Sequence, residues 1–349
     1  MDQLNAALVR FLAANPDSPG VMMHVDAPRA GVSWSGAAGV SEIGGEALLA
    51  TQPIRTASIT KTFVATAILT CIESGAFVLD DVALPLLPEL AAIPFAAAMG
   101  EAANEITLRH LLQHTSGLFD FGNAAQYRRL IASEPTKVWT ALDLISIAFD
   151  HGAPVGRPGG QFHYSDTGYV LLALILERAT GMPIASALRD RVGFESLGLH
   201  STWFEGKESM PDGVPPRAHQ YMTGADTYHF DPSFDGYGGG GLASTSRDLA
   251  AFVGALLGGR IIGSASLAEM LSFSAVTDLG EVGQRCGLGI FESVVNGVRR
   301  IGHEGFWGVW MYHYPDHDIT VAGAHTGLPY DITSKRELLH IPVSLFGIA

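Results

Sequence analysis

Basic side chains are scarce in this 349-residue chain, where 21 Lys and Arg face 35 Asp and Glu for a formal net charge of -14. No Lys/Arg cluster appears anywhere along it, which argues against a nucleic-acid partner, since phosphate backbones are held by basic patches. Cysteine is almost missing. Cys71 and Cys286 are far apart in sequence and fit reduced, buried thiols better than a disulfide framework. No apolar run reaches the roughly 20 residues that span a bilayer, so no membrane association is expected. The 13 histidines show no metal-ligand spacing; in "HEGFW" Trp307 stands where a zinc-protease motif needs its second histidine, and neither metal nor cofactor is expected. The first residues, "MDQLNAALVRFLAANPDSPG", have no basic leader and carry Asp2 and Asn5 where the apolar core of a signal would begin. They read as a short amphipathic helix, with a cytoplasmic location as the expectation.

What the chain does contain is apolar. With 47% hydrophobic and 16% charged residues it has the composition of a compact globular protein, long enough for one large domain or two that share a cleft. "GVMMHVDA" and "GVSWSGAAG" read as two strands near the N-terminus. Helical signals then dominate: "ITLRHLLQHTSGL" starts at a Thr107 cap and runs to Gly117, and "TGYVLLALILERATG" stops at Gly181. Strand signals return in "CGLGIFESVVNG", "VRRIGHEGFWGVWMYHYP" and "DHDITVAGAHTG", an antiparallel meander with turns at "VVNGV" and "PDHD". A last helix follows in "DITSKRELLHIPVSLFG". The expected fold is α/β of the α+β kind: an antiparallel sheet built from both chain ends and flanked by helices, with a largely helical region inserted. Residues 1–57 and 215–349 form the sheet domain in this reading, residues 58–214 the helical one, and the cleft between them is the natural binding site.

The stretch "RTASITKTFVATAIL" carries chemistry into that cleft. Ile59, Phe63, Val64, Ala67, Ile68, Cys71 and Ile72 recur at helical intervals and Gly75 follows as a stop, so residues 58 to 74 read as one helix with Ser58 in its first turn. Positions i and i+3 are neighbours on a helix, which brings the Lys61 ammonium to the Ser58 hydroxyl. A lysine at the positive end of the helix dipole is unfavourable, and the same field would favour an oxyanion at Ser58. Taken alone, Ser58 also suits a helix cap. Two further segments compete with plain structural roles: "FHYSDTGYVLL" sets Tyr164 just before a helix with Ser165 or Asp166 as cap, and "IGHEGFWGVW" places His303 two residues before Gly305 on a strand.

In order and spacing, S-x-x-K at Ser58 and Lys61, Y-x-D at Tyr164 and Asp166, and H-x-G at His303 and Gly305 resemble the active-site motifs of the serine hydrolases related to class C β-lactamases. That family includes DD-carboxypeptidases, D-amino-acid amidases and peptidases, and β-lactamase-like carboxylesterases. "LLQHTSGL" at 111–118 and "GGLASTSRDLAAF" at 240–252 are also similar to stretches of the group, so the resemblance covers about residues 20 to 345. It implies a β-lactamase-like fold and an acyl-enzyme on Ser58, with Lys61 and Tyr164 taking the serine proton. Burial and mutual proximity have to lower both their pKa values from about 10 for that role. It implies an oxyanion hole from the N–H groups of Ser58 and Phe306, with Gly305 leaving room for substrate along the strand. His303 stands where many β-lactamases have a lysine, as a contact to a substrate carboxylate or as part of the proton network.

Two departures shape the substrate expected. Asp166 replaces the asparagine of many relatives and is either a second charge beside Lys61 or a helix cap. H-x-G in place of K-T-G weakens the β-lactamase reading, whose substrates carry a carboxylate that a permanent cation would hold, while relatives with H-x-G include peptidases and amidases acting at D-residues; β-lactamase or DD-carboxypeptidase activity is the alternative. The expected substrate is a small molecule, either a carboxylic ester or an amide or peptide at a D-residue; a catalytically silent penicillin-binding or ligand-sensing homologue is the reading from another class. Phe119, Asp120 and Trp307 are further substrate-binding candidates, Asp120 for a substrate amine and the aromatic pair as apolar walls. "YGGGGLAS" formally contains a dinucleotide-type glycine pattern but reads as a loop, because no β-α-β unit surrounds it. Nothing in the sequence bears on oligomeric state.

Overall fold

Residues 20–39 and 274–325 supply all the strands of the main sheet. The computed structural model describes residues 1–88, 100–276 and 283–347. Strands β1 (Gly20–Ala27), β2 (Val32–Gly39), β3 (Ser274–Ala275), β4 (Arg285–Cys286), β5 (Phe291–Val295), β6 (Val298–Gly305), β7 (Val309–Tyr314) and β8 (Ile319–His325) pair in the order β2-β1-β8-β7-β6-β5-β4-β3. Every pairing in it is antiparallel. The N-terminal hairpin thus joins the sheet through β8, with Met22 opposite Ala324. Asn296 and Gly297 make the two-residue turn between Val295 and Val298, both at positive φ as a turn matched to strand twist requires.

Both faces of the sheet are covered. On one, Val21, Met23, Val25, Trp310, Tyr312 and Val321 pack with Leu4, Leu8 and Phe11 of helix α1 (Asp2–Ala14) and with Leu338 and Leu339 of a C-terminal helix. On the other, Met22, Met311, Ala322 and Ala324 join the larger core. β8 is accordingly buried at all seven positions, which is why "ITVAGAH" shows no polar alternation.

Helix α2 (Thr60–Glu73) is the centre of that larger core. A one-turn helix at Ala57–Ile59 leads into it, and Phe63 stacks on Phe252 of helix α4 (Ser246–Leu257) at 3.6 Å. Helix α3 (Asp166–Thr180) crosses α2 and ends at Gly181, whose φ of 67° closes the helix in the left-handed conformation. Helix α5 (Ile332–Phe346) returns to the sheet.

One local expectation needs correction. The helix after Thr107 covers only Leu108–Leu112, because His114 turns to a φ of 57° and sends the chain toward the cleft. Thr245 caps α4 by accepting the Asp248 N–H, and the Asp248 carboxylate accepts from the Ser201 N–H and the Thr202 hydroxyl, tying the helix start to that segment.

Candidate active site

Ser58 lies in the one-turn helix before α2, where main-chain N–H groups precede the first intrahelical acceptors. Ala57 just ahead of it has a φ of 46°, a left-handed conformation that costs a residue with a Cβ energy and that is held next to the nucleophile candidate. Gly305 explains how β6 comes so near: a Cβ there would lie 2.1 Å from the Thr56 carbonyl oxygen. The glycine therefore serves the contact between strand and nucleophile turn, and it also lines the cleft beside Ser58. Phe306 follows directly, its side chain exposed at the cleft.

Lys61 is completely buried one turn on from Ser58. Its Nζ donates to Ser58 Oγ at 2.9 Å and to the Gly239 carbonyl at 2.6 Å, and pairs with Asp166 Oδ1 at 2.5 Å. The Tyr164 ring stands beside the same nitrogen, its centroid 4.9 Å from Lys61 Nζ, and Tyr164 lines the cleft with Ser58. The tyrosine ring is held by His114, stacked at 4.3 Å, and His114 Nδ1 accepts the N–H of Ser165 at 3.1 Å. Ser165, not Asp166, caps α3, accepting from the Gly168 N–H. Asp166 is the first helical residue, and its carboxylate is free to face Lys61.

This arrangement reverses one expectation. Burial alone pushes the Lys61 ammonium toward losing its proton, but Asp166 and Tyr164 outweigh it and the pKa is raised above the usual lysine value. Burial likewise raises the Tyr164 phenol, with Lys61 opposing and Asp166 adding to the rise. The resting site holds an ammonium and a neutral phenol. Two more carboxyls stand near: Asp120 and Asp235 are each pushed up to about 7, by burial first and by Asp166 second. Asp120 accepts the N–H groups of Gly122 and Asp166, which ties the loop at 118–123 to the start of α3.

The cleft beside Ser58 has a volume of about 420 Å³ and is lined on the sheet side by Phe291, His303, Phe306 and Tyr312 and on the C-terminal side by Tyr330 and Arg336. Trp307 is in the core, edge-on to Phe234, and Phe119 packs over Gly152; neither is among the cleft-lining residues. Gly239, Asp235 and His114 were missed as site residues by the sequence reading. Only the "LLQHTSGL" likeness carried a signal for any of them, at His114. Among the described residues no group of three or more potential metal ligands occurs.

Residues 7–339 match the family described as Beta-lactamase. The D-stereospecific amidohydrolase from Streptomyces sp. is similar at 28% identity with a TM-score of 0.81, over 96% of this chain and 97% of that one. D-amino acid amidase from Ochrobactrum anthropi SV3 is similar at 25% identity and a TM-score of 0.82, over 98% and 99%. Penicillin-binding protein 4* of Bacillus subtilis (strain 168) is 27% identical over 286 residues, 76% of this chain and 58% of its own length. Esterase EstB of Burkholderia gladioli is 32% identical over 172 residues, 46% of this chain and 41% of its own. The chain thus spans 58% or less of the length of these two curated relatives.

Proposed function

The chain belongs to the beta-lactamase family, and from that premise we propose that it is a serine hydrolase forming an acyl-enzyme on Ser58, acting on an amide or peptide at a D-residue or on a small carboxylic ester. The observation that carries this reading is the hydrogen bond from Lys61 Nζ to Ser58 Oγ, with the Tyr164 ring 4.9 Å from the same nitrogen. The similarity to a D-stereospecific amidohydrolase and a D-amino acid amidase over nearly the whole chain supports the substrate class. In this reading the cleft lies between a sheet part (1–57 and 215–349) and a helical part (58–214).

The chemistry follows from the protons. Ser58 attacks the carbonyl carbon while its proton passes to the Tyr164–Lys61 unit, and the new oxyanion takes the N–H groups of Ser58 and Phe306. The same unit returns the proton to the departing nitrogen or oxygen as the tetrahedral adduct collapses. Water then attacks the acyl-enzyme, gives its proton to the unit, and releases the acid and free Ser58. Because the resting unit is fully protonated, it accepts a proton only after losing one, so acylation accelerates as pH rises.

Intact mass spectrometry after fluorophosphonate treatment, with turnover of p-nitrophenyl esters, D-amino-acid amides and nitrocefin, tests the proposal. The wild-type protein gains one adduct at Ser58. Ser58→Ala gains none and turns over nothing while keeping its fold, since the change removes one hydroxyl at a cost of at most about 2 kcal/mol. A labelled or active Ser58→Ala protein ends this mechanism.

A further inference from the structure

His303 reaches from β6 the same cleft that Ser58 and Tyr164 line, and is only 4% exposed. Its Nδ1 lies 2.6 Å from the main-chain oxygen of Glu304. A carbonyl oxygen can only accept, so Nδ1 carries a hydrogen and donates it. A neutral imidazole has one N–H, which leaves Nε2 as a bare lone pair. That Nε2 is buried and finds no hydrogen-bond partner among the described residues. Phe291 meets the ring edge to face at 5.0 Å and has no proton to offer it. The imidazolium form is disfavoured, since burial first and the Lys61 charge second push the pKa down to about 3.

We infer that His303 selects substrate: its Nε2 accepts a hydrogen bond from the N–H of the scissile amide, so the site prefers amides to esters of the same acyl group and rejects a carboxylate at that place. The inference rests on the acyl-enzyme reading above. An ester oxygen has no hydrogen to give, and a carboxylate would set lone pairs against a lone pair. A lysine at this position does the reverse, with three donors and a permanent charge. Of the two roles expected from the sequence at His303, a carboxylate contact or a part in the proton network, this inference departs from the first.

The test compares wild-type protein with His303→Phe, His303→Gln and His303→Lys. For each, kcat/KM is measured on an amide and an ester that share an acyl group, in D-phenylalanyl and acetyl series, alongside fluorophosphonate labelling of Ser58 and thermal melting. Loss of the acceptor in His303→Phe lowers the amide-to-ester ratio about tenfold or more, and His303→Gln, whose side-chain oxygen accepts, keeps it within about threefold of wild type. His303→Lys, a donor for an acceptor, lowers the ratio at least as far as His303→Phe and serves if the phenylalanine variant does not fold. An unchanged ratio in a folded, Ser58-labelled Phe or Lys variant overturns the inference, as does a labelled wild-type protein that cleaves no amide. A wild-type protein whose Ser58 takes no label overturns the acyl-enzyme reading itself.

Discussion

Asp166→Asn is the substitution whose effect can be worked furthest. It keeps the shape of the side chain and leaves the Ser165 cap of α3 alone, so what it removes is one negative charge 2.5 Å from Lys61 Nζ. At that distance the attraction is about 7 kcal/mol for an effective dielectric constant of about 20, before the cost of desolvation is subtracted. The net effect of such a neighbour on a pKa is about 1–3 units. Asp120 and Asp235 reduce the shift, because both are held near 7 partly by Asp166. Without that charge they ionise more readily and return negative potential to the lysine. Asp166→Asn is therefore expected to move the acidic limb of kcat/KM to lower pH by about 1 unit, and Asp166→Asn with Asp235→Asn by closer to 3. Stability provides an independent reading. A lysine with a raised folded pKa contributes stability that is complete below its unfolded value of about 10.4 and is lost as pH rises through the folded one. The variant should thus melt several degrees lower than wild type at pH 7, the gap narrowing only above about pH 10.4. A limb that moves to higher pH refutes this account of the charge balance, and so does an unchanged limb with an unchanged melting temperature.

Lys61→Ala and Tyr164→Phe should each slow acylation by orders of magnitude, measured by pre-steady-state release of p-nitrophenol, while the double variant is little slower than the worse single one; additive losses would mean separate roles rather than one proton-transfer unit. Gly305→Ala places a methyl group 2.1 Å from the Thr56 carbonyl and should cost about 1–3 kcal/mol of stability by denaturant titration. It should also slow Ser58 labelling, because the strand carrying Phe306 must move away from the nucleophile; labelling at the wild-type rate would separate the glycine from the oxyanion site.

Much of the site was legible because the rules that govern it are local. The i, i+3 spacing that sets Lys61 against Ser58 belongs to any helix, and it brings Nζ to within 2.9 Å of Oγ. The Asn296–Gly297 turn and the Thr245 cap follow from backbone preferences of single residues. Two-sided burial blurred the strands, since β8 has no polar face to alternate with. The capping alternative at Asp166 was undecidable locally, because Ser165 and Asp166 are both good cap residues and only the folded chain shows Ser165 taking the Gly168 N–H while Asp166 faces Lys61.

Sequence by itself determined the residue types of the proposed site and their order along the chain: Ser58 with Lys61, then Tyr164 with Asp166, then His303 with Gly305. The tertiary structure alone decided their protonation. The Gly239 carbonyl that accepts a hydrogen bond from Lys61 is a main-chain atom with no side-chain signature, and Asp120 and Asp235 are far from Lys61 in sequence. His303 is an acceptor only because the Glu304 carbonyl holds its other nitrogen. A pKa or a tautomer is set by the dielectric and the charges within a few ångströms, and folding chooses those neighbours from across the whole chain.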